Sequence, residues 1–275
     1  MSAVFALLSS VLWGAADFGG GLVSRRLPAV AVVGWAQAAG LVGLGTLALA
    51  TSAWAGPIGW IGWAVTAGAV GALALIAFYV ALASGTMGVV SPIAALGALV
   101  PVLAGILSGD LPSRLQAAGM VLALIGAVGA SGPELSGGAS RRSVLLAALA
   151  GLGFGIALLG IARGSELNTT MTMVGMRATS VAGFAAAALL TRTTGGIRPR
   201  DLPVLAAIGL ADAGANLTYG LATRGELLAV VAVLGALYPV STVLLARYLL
   251  HERMLPVQRA GVVAALAGVA LLAAG

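Results

Sequence analysis

Three charged side chains fall inside long apolar stretches of the chain, where an ionised group is costly. Arg177 lies about 14 residues from the arginines on either side of it, and Asp212 lies about 11 residues from the nearest charge. At 1.5 Å per helical residue, both lie roughly 16–22 Å from those charges, near the middle of a bilayer. Asp17 is shallower, about 8 residues before Arg25. A carboxylate at such depth can carry a proton or hold an ammonium group, and a guanidinium can hold a carboxylate.

Other polar and aromatic side chains share helical faces with these charges. Asp212, Asn216 and Tyr219 recur at i, i+4 and i+7, and Trp13 lies one turn before Asp17. We predict a polar cavity near the membrane midplane, in which Asp17 and Asp212 are the candidates for coupling. The residues predicted to bind substrate there are Trp13, Asp17, Trp35, Gln37, Tyr79, Arg177, Asp212, Asn216, Tyr219 and Tyr238. The simpler alternative is that Arg177 and Asp212 only pair and hold two helices together.

The composition identifies the elements that must position these residues. Of the 275 residues, 60 % are hydrophobic and 8 % are charged, whereas a soluble domain carries roughly 25 % charge. A spanning helix needs about 20 apolar residues, so ten such helices would leave no room for a soluble domain. We therefore predict an all-α polytopic membrane protein, whose first apolar run is a span and not a cleaved signal.

Short polar or Gly/Pro-containing breaks divide the apolar sequence into ten predicted transmembrane helices, with nine as the main alternative. Their approximate bounds are 3–23, 29–50, 58–83, 88–108, 114–131, 143–162, 168–190, 202–222, 227–249 and 256–274. Pro101 and Pro239 fall inside the fourth and ninth helices. Because proline removes a backbone donor, we expect a kink in each of these helices.

Several short motifs recur in the same order about 140 residues apart. The sequence Leu-Gly-Ala-Leu-Val-Pro at 96–101 recurs as Leu-Gly-Ala-Leu-Tyr-Pro at 234–239. The Gln-Ala-Ala-Gly sequence at 116–119 recurs as Gln-Arg-Ala-Gly at 258–261. The conserved order of these matches indicates an internal duplication.

The duplication predicts two five-helix repeats, 1–132 and 143–275, joined by a linker loop at 133–142. Because five is an odd number, the second repeat must enter the membrane from the opposite side. Such inverted repeats are typical of secondary transporters, whose substrate sites lie near the midplane between the halves.

The repeated pattern resembles the EamA domains of the drug/metabolite transporter superfamily. The most telling stretch runs from Tyr238-Pro239-Val240 through His251-Glu252-Arg253 to Gln258-Arg259-Ala260-Gly261. It is similar to the family's kinked fourth helix, Gly-Glu loop and fifth-helix start. The first copy has Asp110 where the family usually has Glu. Arg177 fits an arginine that members often carry in the second helix of each half, but its counterpart here is Ala36.

This resemblance implies a secondary active transporter that works by alternating access and uses no cofactor. We expect an exporter of small metabolites such as amino acids, with proton coupling as a further hypothesis. Efflux of cationic drugs and uptake of a metabolite are the alternatives. We expect the protein to span the lipid bilayer of the cell membrane, and specifically a bacterial inner membrane. A monomer and a homodimer both remain open.

The residue types present count against other classes of protein. The chain has no cysteine and one histidine, so it lacks thiolate nucleophiles, cysteine metal sites and a His-Glu-x-x-His motif. These absences count against a membrane-embedded enzyme. The chain has no Walker A motif, which counts against a transporter driven directly by ATP. It also lacks the charged or carbonyl filter signature of a channel. The formal charge is +6, but the arginines are scattered and form no basic face for nucleic acid.

The arginines are unevenly divided between the loops. Ten lie in or beside the odd-numbered connections: Arg25, Arg26, Arg141, Arg142, Arg192, Arg198, Arg200, Arg247, Arg253 and Arg259. Three lie in the even-numbered connections: Arg114, Arg163 and Arg224. Because cytoplasmic loops carry excess basic residues, this count predicts that both termini lie outside the cell. The resemblance implies the opposite orientation.

Overall fold

The computed structural model describes residues 1–84, 87–130, 140–249 and 255–275. The protein is 86 % helix, and the described residues contain no strand. The helices are α1 Ser2–Ser24, α2 Ala29–Thr51, α3 Ile61–Ser84, α4 Met87–Ala95, α5 Leu99–Leu107, α6 Arg114–Ala130, α7 Arg141–Thr191, α8 Leu202–Ala222, α9 Leu228–Gly235, α10 Tyr238–Leu249 and α11 Pro256–Ala274. Most of the predicted linker loop and the His251-Glu252-Arg253 segment lie outside the described residues.

Six helices of the described chain are long and apolar enough to cross a membrane: α1, α2, α3, α7, α8 and α11. The longest, α7, has 51 residues and joins the sixth and seventh predicted helices, which the sequence placed apart. At 1.5 Å per residue it would extend about 76 Å, more than twice the thickness of a bilayer core. Non-helical backbone at Asn168 (φ −161°, ψ 101°) divides it into two arms.

Asn168 begins the second arm of α7 as a helix N-cap. Its side-chain Oδ1 accepts a hydrogen bond from the Met171 backbone N–H at 3.0 Å, which satisfies a donor that lacks a helical partner. Its Nδ2 donates to the Ala53 carbonyl at 2.8 Å. The second arm runs parallel to α3, since Gly175 faces Ala64 and Ser180 Oγ donates to the Gly68 carbonyl.

The first arm of α7 runs antiparallel to the same helix α3. Gly160 faces Ala67, whereas Gly153, earlier in the chain, faces Ala74, which is later in α3. The chain therefore reverses its direction at Asn168, and both arms of α7 pack against α3.

The two predicted kinks are present in the structure. A 3₁₀ turn at Leu96–Ala98 separates α4 from α5. The corresponding break separates α9, which ends at Gly235, from α10, which begins at Tyr238. Each break lies about one turn before its proline, Pro101 or Pro239. A proline ring clashes with the carbonyl four residues earlier, so both helices are interrupted at the expected place.

Helices α6 and α11 pack closely through glycines. Gly119 faces Gly268, and Gly126 faces Gly261, so the two helices are antiparallel. A Cβ on Gly126 would collide with the backbone of Ala265. Small residues permit this approach, which matters where lipid provides little drive for helices to associate.

Candidate functional site

A cavity of about 100 Å³ lies between helices from both predicted repeats. Seven of the ten predicted site residues line it: Trp13, Asp17, Gln37, Arg177, Asp212, Asn216 and Tyr238. The remaining wall is mainly apolar or small: Ala67, Gly71, Ala72, Leu75, Ala94, Ala95, Ala98, Phe154, Ala157, Leu158, Ile161, Met176, Ser180, Gly235 and Ala236.

Arg177 and Asp212 form a buried ion pair that joins α7 to α8. Arg177 Nη2 lies 2.9 Å from Asp212 Oδ2, and the two side chains are 3 % and 16 % exposed. The pair is within ion-pair distance, but Nη2 makes no aligned hydrogen bond to a described residue. Burial this deep is tolerated because each charge offsets the other.

Two amides support this ion pair from opposite sides. Gln37 Oε1, on α2, accepts a short hydrogen bond from Arg177 Nη1. Asn216 Nδ2 donates to the backbone carbonyl of Asp212 at 2.7 Å and to its Oδ1 at 3.2 Å. The pair and its amides therefore form one polar cluster that connects α2, α7 and α8.

Asp17 is the cavity's carboxylate without a counterion. It makes no hydrogen bond or ion pair with another residue that the structure describes. Asp212, the other carboxylate of the cavity, lines it together with Asp17. Tyr238, which lines the same cavity, is 9 % exposed, and its hydroxyl has no hydrogen-bond partner among the described residues.

Aromatic rings form part of the cavity wall. The ring centroid of Trp13 lies 5.5 Å from that of Tyr219. Phe78, which is 1 % exposed, packs edge-on against Phe154 at 5.5 Å and against Tyr238 at 6.4 Å. Phe78 thus positions two rings that face the cavity.

Three predicted site residues lie elsewhere. Trp35 is 38 % exposed, and its Nε1 donates to the Thr194 carbonyl at 3.3 Å, in a loop contact. Tyr79 and Tyr219 are fully buried behind the cavity wall. The Tyr79 hydroxyl donates to the Ala16 carbonyl at 3.4 Å. These tyrosines support the residues that face the cavity and do not face it themselves.

Sequence reasoning missed several residues of the wall. Ser180 lies three residues after Arg177, so its helical spacing placed it on the same face. Its hydroxyl donates to two backbone carbonyls, Gly68 at 3.1 Å and Met176 at 2.9 Å. Leu158 and Ile161 carried no signal, because apolar residues at helical spacing occur throughout the chain.

Comparison with known proteins assigns the second half of the chain to a family. Residues 141–274 match the EamA-like transporter family. This part of the chain is an EamA-like transporter domain. It belongs to the drug/metabolite transporter superfamily, so the expected resemblance is confirmed. The EamA-like domain holds Arg177, Asp212, Asn216 and Tyr238, whereas Trp13 and the other cavity residues of α1 and α2 precede it.

The fold also has a solved counterpart. A crystal structure, described only as "Crystal structure of protein", is 19 % identical to this chain and superposes with a TM-score of 0.78. The match covers 98 % of this chain and 95 % of that one. At this identity it shows the fold alone. No curated protein matches the chain. The EamA-like domain and the apolar helices together mark a multi-pass membrane protein.

Proposed function

We propose that the protein is a secondary active transporter that exports small metabolites such as amino acids across the cell membrane. Two inverted five-helix repeats would rock against each other and expose the cavity to each side in turn. The observation that carries this proposal is the cavity itself. It is enclosed by helices of both repeats, and it contains Asp17, Arg177 and Asp212, ionisable groups that are rare inside membranes.

The helix lengths support ten spans. Two arms of α7 and the five other long helices account for seven crossings. Three shorter apolar helices are Ile93–Leu107, Arg114–Ala130 and Leu228–Thr242. Helical residues extend the first towards Met87 and the third towards Leu249, and the second packs along α11. Seven crossings and these three give ten.

Mirrored contacts support an inverted repeat. Leu12 faces Gly214 where α1 meets α8, and residues about 140 positions away, Gly153 and Ala74, make the corresponding contact between α7 and α3. Both helix pairs are antiparallel. An exchange of the two repeats by a two-fold axis within the membrane plane would produce this correspondence.

Contacts between the repeats occur at both ends of the bundle, and alternating access requires that they open in turn. At the end with the odd-numbered connections, Arg26 Nη1 lies 2.8 Å from Asp201 Oδ1. At the other end, Asp110 Oδ2 accepts a hydrogen bond from the Ala229 N–H at 3.1 Å. Asp110, which occupies the position of the family's acidic residue, thus caps the first turn of a helix in the opposite repeat.

Asp17 is the proposed site of proton coupling, because it has no counterion among the described residues and lines the cavity with Asp212 and Tyr238. Asp17→Asn should change the pH dependence of transport more than it changes the amount of folded protein. Glu226→Gln, which alters an exposed carboxylate outside the cavity, is the matched control. An unchanged pH profile in Asp17→Asn would remove proton coupling from this residue.

The proposed orientation follows the arginine count, with both termini outside the cell. A reporter fused after Gly275 that fluoresces only in the cytoplasm should stay dark. Bright fluorescence would reverse the assignment and support the orientation implied by the resemblance.

Counterflow in proteoliposomes tests the transport function itself. Vesicles that contain the purified protein and an unlabelled metabolite should accumulate the labelled metabolite, and the rate should saturate with its concentration. Empty vesicles are the control. A conductance that does not saturate would indicate a channel, and the absence of flux for amino acids, amines and related metabolites would count against the proposal.

A further inference from the structure

We propose that the protein binds the headgroup of an anionic phospholipid at the end of the bundle that carries the odd-numbered connections. The site lies on the outer surface, away from the cavity, and is independent of the transported substrate. Three features support it: the unequal charge of the two ends, the contacts that gather separate loops into one surface, and the apolar surface beside those loops.

The two ends of the bundle differ in their charge. At the end with the even-numbered connections, three described arginines are matched by three described carboxylates: Arg114, Arg163 and Arg224 against Asp110, Glu166 and Glu226. At the opposite end, Asp201 is the single acidic side chain among the described loop residues. The described arginines there are Arg25, Arg26, Arg141, Arg142, Arg192, Arg198, Arg200 and Arg259. Among the described residues, this end alone presents a net positive surface.

Contacts across the fold gather two of these loops into one surface. Arg26 Nη1 lies 2.8 Å from Asp201 Oδ1, which joins the loop after α1 to the start of α8. Asp201 Oδ2 also accepts a hydrogen bond from the Arg198 backbone N–H at 3.1 Å. Trp35 Nε1, on α2, donates to the Thr194 carbonyl at 3.3 Å. The loop between α7 and α8 is therefore held against α1 and α2, and its arginines lie beside those of the first loop.

Four arginines of this surface, which we call the basic patch, have no ion-pair partner in the described part of the chain: Arg25, Arg192, Arg198 and Arg200. All four residues are exposed. The nearby carboxylate of Asp201 is 3 % exposed and is already engaged by Arg26. An external anion would therefore meet uncompensated guanidinium groups. Such groups bind phosphate through paired, charge-assisted hydrogen bonds.

A helix also begins beside the basic patch. α2 starts at Ala29, three residues after Arg26, and its first turn has no side-chain cap. The N-terminal end of a helix carries a partial positive charge. This charge has the same sign as the arginines and adds to their attraction for an anion.

Large apolar side chains adjoin the basic patch and favour a lipid as the ligand. Leu189 and Leu190 are exposed just before Arg192, and Leu202 is exposed at the start of α8. Trp35 is also exposed here, as is typical of aromatic side chains at a membrane interface. Acyl chains would cover the leucines, so the phosphate of the same lipid would lie at the level of the arginines. A soluble polyanion would gain nothing from this apolar border.

The position of the basic patch suits the leaflet that supplies such lipids. In the proposed orientation it faces the cytoplasm, and the cytoplasmic leaflet carries anionic phospholipids that attract basic residues near its surface. The patch combines loops of both proposed repeats. A bound headgroup would therefore stabilise the arrangement in which the Arg26–Asp201 contact closes this end of the bundle.

Native mass spectrometry of the purified full-length protein tests the site. The protein in detergent is offered equal amounts of phosphatidylglycerol and phosphatidylcholine with identical acyl chains. It should retain phosphatidylglycerol in preference by roughly tenfold, because the apolar contacts are the same and only the headgroup charge differs. Equal retention of the two lipids would overturn the proposal, and this comparison needs no variant.

Matched variants then locate the preference. Arg198→Gln/Arg200→Gln should reduce it from about tenfold to about twofold. Arg141→Gln/Arg142→Gln is the control, since it removes the same charge from exposed residues at the same end but outside the basic patch. The control should keep the full preference. Equal losses in the two variants would show that the charge of the whole end attracts the lipid, and would overturn the assignment of a site.

A soluble phosphate is the other source of the same headgroup chemistry. Inorganic phosphate or glycerophosphate, added at the concentration of the lipid, should leave the retained phosphatidylglycerol unchanged, because neither compound can cover the exposed leucines. Displacement of the lipid by either compound would identify a site for a soluble anion and would overturn the proposal. These measurements require no transport, so a failure of counterflow and a failure of lipid binding are distinguished.

Discussion

The two proposed repeats share their packing contacts but not their cavity side chains. Gly14 lies against the backbone of Tyr238 in α10, and Gly155, its counterpart about 140 residues later, lies against the backbone of Gly97 just before α5. Three residues beyond these glycines, the first repeat has Asp17 and the second has Leu158. Both of these side chains line the cavity, so equivalent positions contribute opposite chemistry to one space.

The buried ion pair shows the same asymmetry in the other direction. Arg177 and Asp212 belong to the second repeat, and their counterparts in the first repeat are Ala36 and Ala72. Each repeat packs its helices through the same kind of interface, so small residues are needed at the corresponding positions of both repeats. The cavity is shared, so each charge is needed once. The comparison teaches that the repeat builds the scaffold while its departures from symmetry build the site.

The largest effect is expected from a break in the ion pair, which exists in one repeat only. Arg177→Ala would leave Asp212 buried without its partner and should lower the free energy of unfolding by about 3–5 kcal/mol. Thermal denaturation of the purified protein measures the loss. The double variant Arg177→Ala/Asp212→Ala should recover much of it, since no unpaired charge remains. If the double variant loses as much stability as the single variants Arg177→Ala and Asp212→Ala do together, the ion pair is not what stabilises this region.

A smaller and graded effect is expected from two glycines that correspond in the repeats. A methyl group on Gly97 would collide with the backbone carbonyl of Gly151, whereas one on Gly235 would meet ring atoms of Trp13 and Tyr219 at 3.2 and 3.3 Å. Gly97→Ala should cost about 1–3 kcal/mol of stability, and Gly235→Ala should cost less, because side chains adjust more readily than backbone.

Gly62→Ala is the matched control for these two variants, since nothing lies within 4 Å of its Cβ position. Its melting temperature should be unchanged or higher, because alanine favours a helix over glycine. Equal losses at Gly97 and Gly235 would show that the two interfaces are equivalent in tightness as well as in position.

A carboxylate moved between the repeats tests whether they are interchangeable at the cavity. Asp17→Leu/Leu158→Asp keeps the charge and the composition of the wall but places the acid in the other repeat. The pH dependence of transport should change as in Asp17→Asn, because the counterpart of Tyr238 is Val100 and offers no hydroxyl beside the moved acid. A pH profile in the exchanged variant that matches the unmodified protein would show that either repeat can supply the acid.

The smallest effect is expected at the ion pair between the loops. Arg26 is 53 % exposed, and water and salt screen such a pair. Arg26→Ala should therefore lower the melting temperature less than Arg177→Ala or Gly97→Ala does, and the difference should shrink further at high salt. A large loss that persists at high salt would show that this contact is an essential part of the interface between the repeats.

The sequence by itself determined the features that depend on neighbouring residues along the chain. The helix bounds of α1, α2, α8 and α11 agree with the predicted ones to within one or two residues, because apolar runs and polar breaks are local signals. The breaks before Pro101 and Pro239 were predictable for the same reason, since a proline acts on its own turn. Among the predicted residues that line the cavity, the three charged ones were predicted from their depth, and Trp13 and Asn216 from their helical spacing to those charges.

Only the tertiary structure decided which side of each helix meets the cavity. Helices that are apolar on nearly every side give no clear amphipathic signal, so Trp35, Tyr79 and Tyr219 were predicted to face a cavity that they do not face. Ser180 was also overlooked, although its spacing of three residues from Arg177 places both on one helix face. The partners of Arg177 lie on α2 and α8, far away in the chain, and no local rule pairs them. Their pairing, which leaves Asp17 without a counterion among the described residues, exists because close helix packing brings distant segments together.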